Sequence, residues 1–173
     1  MNLMERRERD RELLCSWHAS LEADRGARAE LRRCRGPLDM MLVRPFGELL
    51  AAMHPAAVAS PGGPTGVDPW QIAALARTAT VLCRAAAVDP EVGVAEAMAE
   101  EVRGRTVVSP LRADALFRCP DADEACRILV SLQGLFGACD PADLHGAMSN
   151  WDRKRRDWAM AFNLAVARIK RPA

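Results

Sequence analysis

Two stretches of this chain gather cations at spacings that suit phosphate. In the first, Asp24–Pro37 (DRGARAELRRCRGP), Arg28, Arg32 and Arg35 recur at helical intervals, with Arg25 and Arg33 beside them. In the second, Trp151–Trp158 (WDRKRRDW), Arg153, Lys154, Arg155 and Arg156 run consecutively between two tryptophans seven residues apart. A guanidinium is always charged and presents a planar fork of donors that matches a phosphate edge, so stripes of this kind are candidate grips on a nucleic-acid backbone. The competing reading is a solvated helix face, with local ion pairs to Asp24 or Glu30 in the first stretch. In the second, four consecutive bases cannot all point inward, so some must fan into solvent. Bases near a helix start also oppose the macrodipole, which favours a functional reason for keeping them. The two tryptophans share one helix face and are expected in the core rather than stacked on bases. Sequence leaves open whether the two stretches meet on one surface.

No catalytic constellation accompanies them. Cys15 and His18 share a helix face, but no second pair follows at zinc-binding spacing, and the six cysteines contain no CxxC. His54 and His145 are isolated. Glu100-Glu101 and Asp121–Asp123 read as caps and surface charge. No glycine-rich loop follows a strand, and no strand-to-helix turn presents a serine. The expectation is a non-enzymatic protein with no metal and no cofactor.

The elements that would position these residues are helices. Half of the 173 residues are hydrophobic, but only 5% are aromatic and tyrosine is absent, so the apolar share leans on alanine. That composition suits close-packed helices better than sheets. A first helix is expected over Arg6–Leu21, with Leu13, Leu14, Trp17 and Leu21 inward. A second starts at Ala27, with Leu31, Cys34 and Leu38 on one side, and Gly36-Pro37 breaks it. An apolar pattern resumes over Leu42, Phe46, Leu49, Leu50 and Met53. Pro55 to Pro69 reads as a loop.

Four acid- or serine-proline pairs then act as start signals: Asp68-Pro69, Asp89-Pro90, Ser109-Pro110 and Asp140-Pro141. They predict helices over Trp70–Ala87, from Asp89 to about Val102, to Leu116 or Phe117, and from Ala142 to about Ser149. Asp121 with Glu124 resembles a capping box opening another helix. The last runs from about Trp151 to Ile169, with Trp158, Phe162, Ala165 and Ile169 inward. The sum is an all-α compact bundle of about eight helices in a single domain, 1–173, with lobes at 1–103 and 109–173 and no strand.

Net charge is only +1 but is unevenly placed. Asn150–Ala173 carries seven bases against two acids, 27–44 five against two, and Asp89–Glu101 five acids and no base. Such a dipolar surface can meet a polyanion on one side and a protein on another. The charged start over Glu5–Glu12 gives no secretory leader, and no run approaches a membrane span. The expectation is a reduced, cytoplasmic protein with no membrane partner.

The two arginine stretches also carry a resemblance. DRGARAELRRCRGP followed by RPFGELL resembles the N-terminal signature of the CasB family, the small subunit of the type I-E CRISPR surveillance complex, Cascade. Asp24, Arg25, Gly26, Ala27, Leu31, Arg32, Arg33, Phe46, Leu49 and Leu50 fall on that pattern. Trp151, the basic run, Trp158, Ala159 and Phe162 resemble its C-terminal end, and the intervening helices fit in order and length. The chain departs from the family's basic-aromatic cluster after the central loop, which Leu111-Arg112 or Phe117-Arg118 match only diffusely, and it lacks tyrosine near Phe162-Asn163.

The resemblance implies a non-catalytic helical subunit. It would be present in two copies, pack against other Cascade subunits, lie along guide RNA and target DNA, and stabilise the R-loop with its displaced strand. Arg25, Arg28, Arg32, Arg33, Arg35, Arg153, Lys154, Arg155 and Arg156 would then form the nucleic-acid face. The alternatives are an adaptor whose basic patches bind acidic partner proteins and, less favoured, a helical regulator reading DNA sequence, for which no tight helix-turn-helix is visible.

Overall fold

The computed structural model describes residues 2–55 and 66–169, among which ten helices and one minimal hairpin are found. They are α1 (Leu3–Ala23), α2 (Arg25–Arg33), α3 (Pro37–Met40), α4 (Arg44–Met53), α5 (Pro69–Leu82), α6 (Val94–Ala99), α7 (Pro110–Phe117), α8 (Ala122–Leu132), α9 (Pro141–Ser149) and α10 (Trp151–Ile169). Eight of these are longer than two turns, and the all-α bundle expected from the sequence is what forms. Most of the loop expected over Pro55–Pro69 lies outside the described residues. No helix is long and apolar enough to cross a membrane among those described.

Local start signals explain most helix boundaries. The Asp121 carboxylate accepts from Glu124 N at 2.9 Å, and Asp140 accepts from Ala142 N at 2.9 Å. Ser109 caps α7, and at the start of α5 the Gln71 side chain reaches back to accept from Asp68 N at 3.0 Å. Asp24 serves two helices at once. Its N–H donates to Ser20 O to finish α1, and its side chain accepts from Ala27 N at 2.9 Å to begin α2.

One start signal fails. The sequence predicts a helix from Asp89 to Val102, but α6 covers only Val94–Ala99. Tertiary bonds override the local preference. Asp89 N donates to Cys139 O at 3.1 Å and Asp140 N to Val92 O at 2.6 Å, tying 89–92 to the segment before α9 as a turn. The helix then begins where a carboxylate from elsewhere, Asp143, accepts from Val94 N at 3.1 Å. It ends early because Glu101-Val102 pairs antiparallel with Arg105-Thr106, a hairpin where no strand was expected. Arg103 and Gly104 turn it with positive φ values of 55° and 77°, the two-residue geometry that matches strand twist.

The helices group as α1–α5 and α6–α10, joined where α9 packs on α1 and α5, and α8 on α5. Within the second group α10 lies on α6, α7 and α9. Alanines make the central crossing close: α5 buries Ala74, Ala76 and Ala79, and α9 buries Ala142 and Ala147. One apolar cluster runs through both groups, from Leu14, Trp17 and Leu21 on α1 to Trp151, Trp158 and Phe162 on α10.

Leu38 and Leu42, expected inside, are not, and neither is Val102, expected on the apolar face of the helix from Asp89 and instead in the hairpin at 52% exposure. Leu38 is 79% and Leu42 85% exposed. The backbone turns extended at Cys34, so α3 restarts with a new phase and buries Met40 instead, while Leu42 falls before α4.

Candidate nucleic-acid interface

The nine cations singled out by sequence divide by what their side chains touch. In the first stretch, Arg28 and Arg32 are bonded into the fold. The Arg32 Nε donates to Cys83 O at 3.0 Å, and Arg28 donates to both Cys83 O and Ala85 O. These carbonyls lie just past Leu82, at the end of α5, where helix geometry leaves acceptors unpaired and the macrodipole favours a cation. The service is returned. Arg84 donates to Arg32 O at 3.1 Å and to Cys34 O at 2.8 Å, at the end of α2. Two helix C-termini therefore meet, each closed by arginine from the other's segment. Arg25, Arg33 and Arg35 are exposed, and their side chains have no hydrogen bond or ion pair among the described residues. The ion pairs to Asp24 or Glu30 offered as the bland alternative do not form there.

The second stretch divides the same way. Trp151 and Trp158 are buried and meet edge to face at 5.8 Å, as expected of a core face. Arg155 donates to Cys119 O at 3.0 Å, beyond the end of α7, and pairs with Asp152 at 2.9 Å. Lys154 Nζ donates to Asp143 Oδ1 at 2.6 Å. Arg153 and Arg156 are exposed with free side chains among the described residues. The cost of bases at a helix start is thus partly offset, because two of the four are neutralised by carboxylates.

Asp143 is the hub of this end of the molecule. Besides Lys154 it accepts from Trp158 Nε1 at 2.9 Å and from Val94 N, and Arg7 approaches within 3.9 Å. Its neighbour Asp140 accepts both Arg11 Nε at 3.2 Å and Arg11 Nη2 at 3.1 Å, a fork-on-carboxylate pair that holds α1 to α9. The bond raises the Arg11 pKa above its ordinary value.

No hydrogen bond or ion pair joins the two arginine stretches among the described residues. Instead, Lys154 shares a groove of about 560 Å³ with Arg6, Arg7 and Arg9 of α1. These three α1 arginines are not among the cations singled out from the sequence. Across the groove from them stands an exposed tryptophan, Trp70, at 56%, which no sequence signal links to α1.

The groove also holds His54 and His145. Thr78 Oγ1 gives its proton to Ala74 O at 2.8 Å and lies 3.0 Å from His145 Nδ1, so it accepts from a neutral imidazole. Burial pushes His145 down to about 4 and also lowers His54. The sign of the consequence follows from linkage: the unfolded chain takes up the His145 proton near pH 6.5, but the folded chain resists it until about pH 4. Stability from this group is complete above pH 6.5 and declines on acidification towards 4, by up to about 3 kcal/mol. Denaturant titrations of the native chain and His145→Gln across that range are expected to converge at the acid end.

No group of three or more His, Cys, Asp or Glu that could hold a metal exists among the described residues. The five buried cysteines have thiols surrounded by core, and burial raises Cys126 to about 11 and Cys139 to about 12, which leaves them protonated and unreactive.

Comparison with curated proteins and with solved structures gave no match. The model of one family, described as CRISPR-associated protein Cse2, matches residues 27–162. That span takes in all of the second arginine stretch, nearly all of the first and every helix from α3 to α9. The chain belongs to the Cse2, or CasB, family, the non-catalytic subunits of the CRISPR Cascade complex.

Proposed function

We propose that the chain grips nucleic-acid backbone within Cascade and thereby stabilises the target-DNA R-loop during antiviral defence. The observation that carries this is the division of labour among its cations. Arg28, Arg32, Lys154 and Arg155 are bonded into the fold, yet beside them Arg25, Arg33, Arg35, Arg153 and Arg156 are held out with no intramolecular partner among the described residues. A fold that only needed helix caps would not need the second set. Helices α2 and α10 carry four of these and Arg35 follows in the link to α3, so the backbone that presents them is ordered before binding.

Guide RNA and target DNA, including the displaced strand, are the ligands in this reading. Other Cascade subunits and a second copy of the chain are its protein partners. Base pairing between guide and target supplies the specificity, and the protein supplies neutralisation that is indifferent to sequence. The exposed acids Glu91, Glu96, Glu100 and Glu101 sit on and around α6. They face a partner subunit or keep nucleic acid from binding on the wrong side.

Fluorescence anisotropy of labelled, unrelated single-stranded and duplex DNAs across a salt titration tests the proposal, with the chain alone and with the other Cascade subunits. Equal affinity for unrelated sequences and a linear fall of log affinity with log salt are expected. A strong preference for one sequence would favour the regulator. Absence of any contribution to DNA binding, alone or assembled, would favour an adaptor that binds acidic partner proteins.

A further inference from the structure

We infer that the groove between the first turns of α1 and the start of α5 is a seat for one nucleotide of a single strand. In this seat Arg6 and Arg9 take the phosphate and Trp70 stacks on the base. The inference rests on the reading of the chain as a nucleic-acid binder and adds a location, a ligand size and a base contact to it.

Three independent features converge there. The first is charge. Arg6, Arg7, Arg9 and Lys154 line the groove against a single acid, Asp10. Arg7 and Lys154 are committed to Asp140 and Asp143. Arg6 and Arg9, one turn apart on α1, have no hydrogen bond or ion pair among the described residues. The lowered histidines add no charge at neutral pH.

The second is the indole. Trp17, Trp151 and Trp158 are all at most 9% exposed, whereas Trp70 is 56% exposed at the groove. A large apolar ring left in water beside cations suits a base, because every base offers a π-face whatever its identity. The third is size. About 560 Å³ falls in the range of small-ligand sites, so the groove has room for a splayed nucleotide.

The seat straddles the edge of the family match: Arg6 and Arg9 precede residue 27, where that match begins, whereas Trp70 lies within it.

The test titrates the full chain with a short labelled oligothymidylate, reading tryptophan emission and anisotropy together. Trp70 is the one solvent-exposed indole of the four in the chain. Its emission is expected to fall as the strand binds, and Trp70→Phe is expected to lose that signal while keeping most of the affinity. Trp70→Ala should weaken binding by about tenfold, the scale of one lost base stack. Arg6→Gln with Arg9→Gln should lower the slope of log affinity against log salt by about 0.7, for the one phosphate the pair neutralises on a single strand. Thymidine monophosphate should compete and quench; competition by inorganic phosphate without quenching would reduce the site to a plain anion site and overturn the stacking contact.

If the native chain binds the strand but emission stays constant and the arginine pair is without effect, the seat is overturned and the general backbone grip stands. If no strand binds to the chain, alone or assembled with its partner subunits, both fall. Circular dichroism of each variant checks that the fold is intact, which the exposure of Arg6 and Trp70 favours.

Discussion

Asp143→Ala is expected to lower the stability of the folded chain by about 3–5 kcal/mol, the range for breaking a buried pair from one side. The carboxylate is only 9% exposed and holds three elements together. It accepts from Lys154 and Trp158 on α10 and from the first amide of α6, while sitting on α9 itself. Alanine would leave an indole N–H, a backbone N–H and a three-quarters buried ammonium without their acceptor, and each would carry its own desolvation penalty. Asp143→Asn keeps one acceptor oxygen and should lose less. Lys154→Met removes the cation but leaves the carboxylate with Trp158, Val94 and the nearby Arg7, so it should be the mildest of the three. Urea unfolding followed by circular dichroism orders the variants. An Asp143→Ala chain within about 1 kcal/mol of the native one would show that the hub is not holding the helices.

Neutralising Arg25, Arg33, Arg153 and Arg156 together is expected to act on binding and hardly at all on folding. All four are exposed, with side chains unpartnered among the described residues. Each lost phosphate contact removes about 0.7 from the salt slope on a single strand, so the quadruple glutamine variant should bind with a slope shallower by about 3. Its urea midpoint should stay close to the native value. Arg28→Ala with Arg32→Ala should do the opposite. Those side chains close the end of α5, and their loss should move the urea midpoint while leaving the salt slope near its native value. Within the nine residues of α2, the pair of experiments separates Arg25 and Arg33 from Arg28 and Arg32. Equal loss of slope in both variants would mean that Arg28 and Arg32 leave their carbonyls to meet phosphate.

That separation also shows where sequence reading succeeds and where it stops. Proline after Asp68, Ser109 and Asp140 placed three helix starts correctly, because a cap is a local bargain between a side chain and amides one turn away. The same dipeptide at Asp89 misled, because a carbonyl at Cys139 and a carboxylate at Asp143 competed for the amides from about fifty residues downstream. Helical spacing groups Arg28, Arg32 and Arg35 as a stripe, with Arg33 beside it. It could not divide them, since their roles depend on where α5 ends, and α5 stops at Leu82 rather than Ala87. Leu38 failed for a related reason: periodicity assumes an unbroken helix, and the extended turn at Cys34 resets it. The α1 arginines were legible as residues but not as a site, because the ring opposite them is some sixty positions away in the chain.

The mutual closure of α2 and α5 bears on any attempt to swap parts between relatives. A nine-residue helix such as α2 is too short to persist by its own backbone. It arrives already furnished with the cations for another helix's end, while its own end depends on Arg84. A chimaera that imports α2 alone would bring donors without acceptors and acceptors without donors. The transplantable unit is therefore discontinuous: 25–34 travels with 80–85, and a graft of either piece alone is expected to fray both.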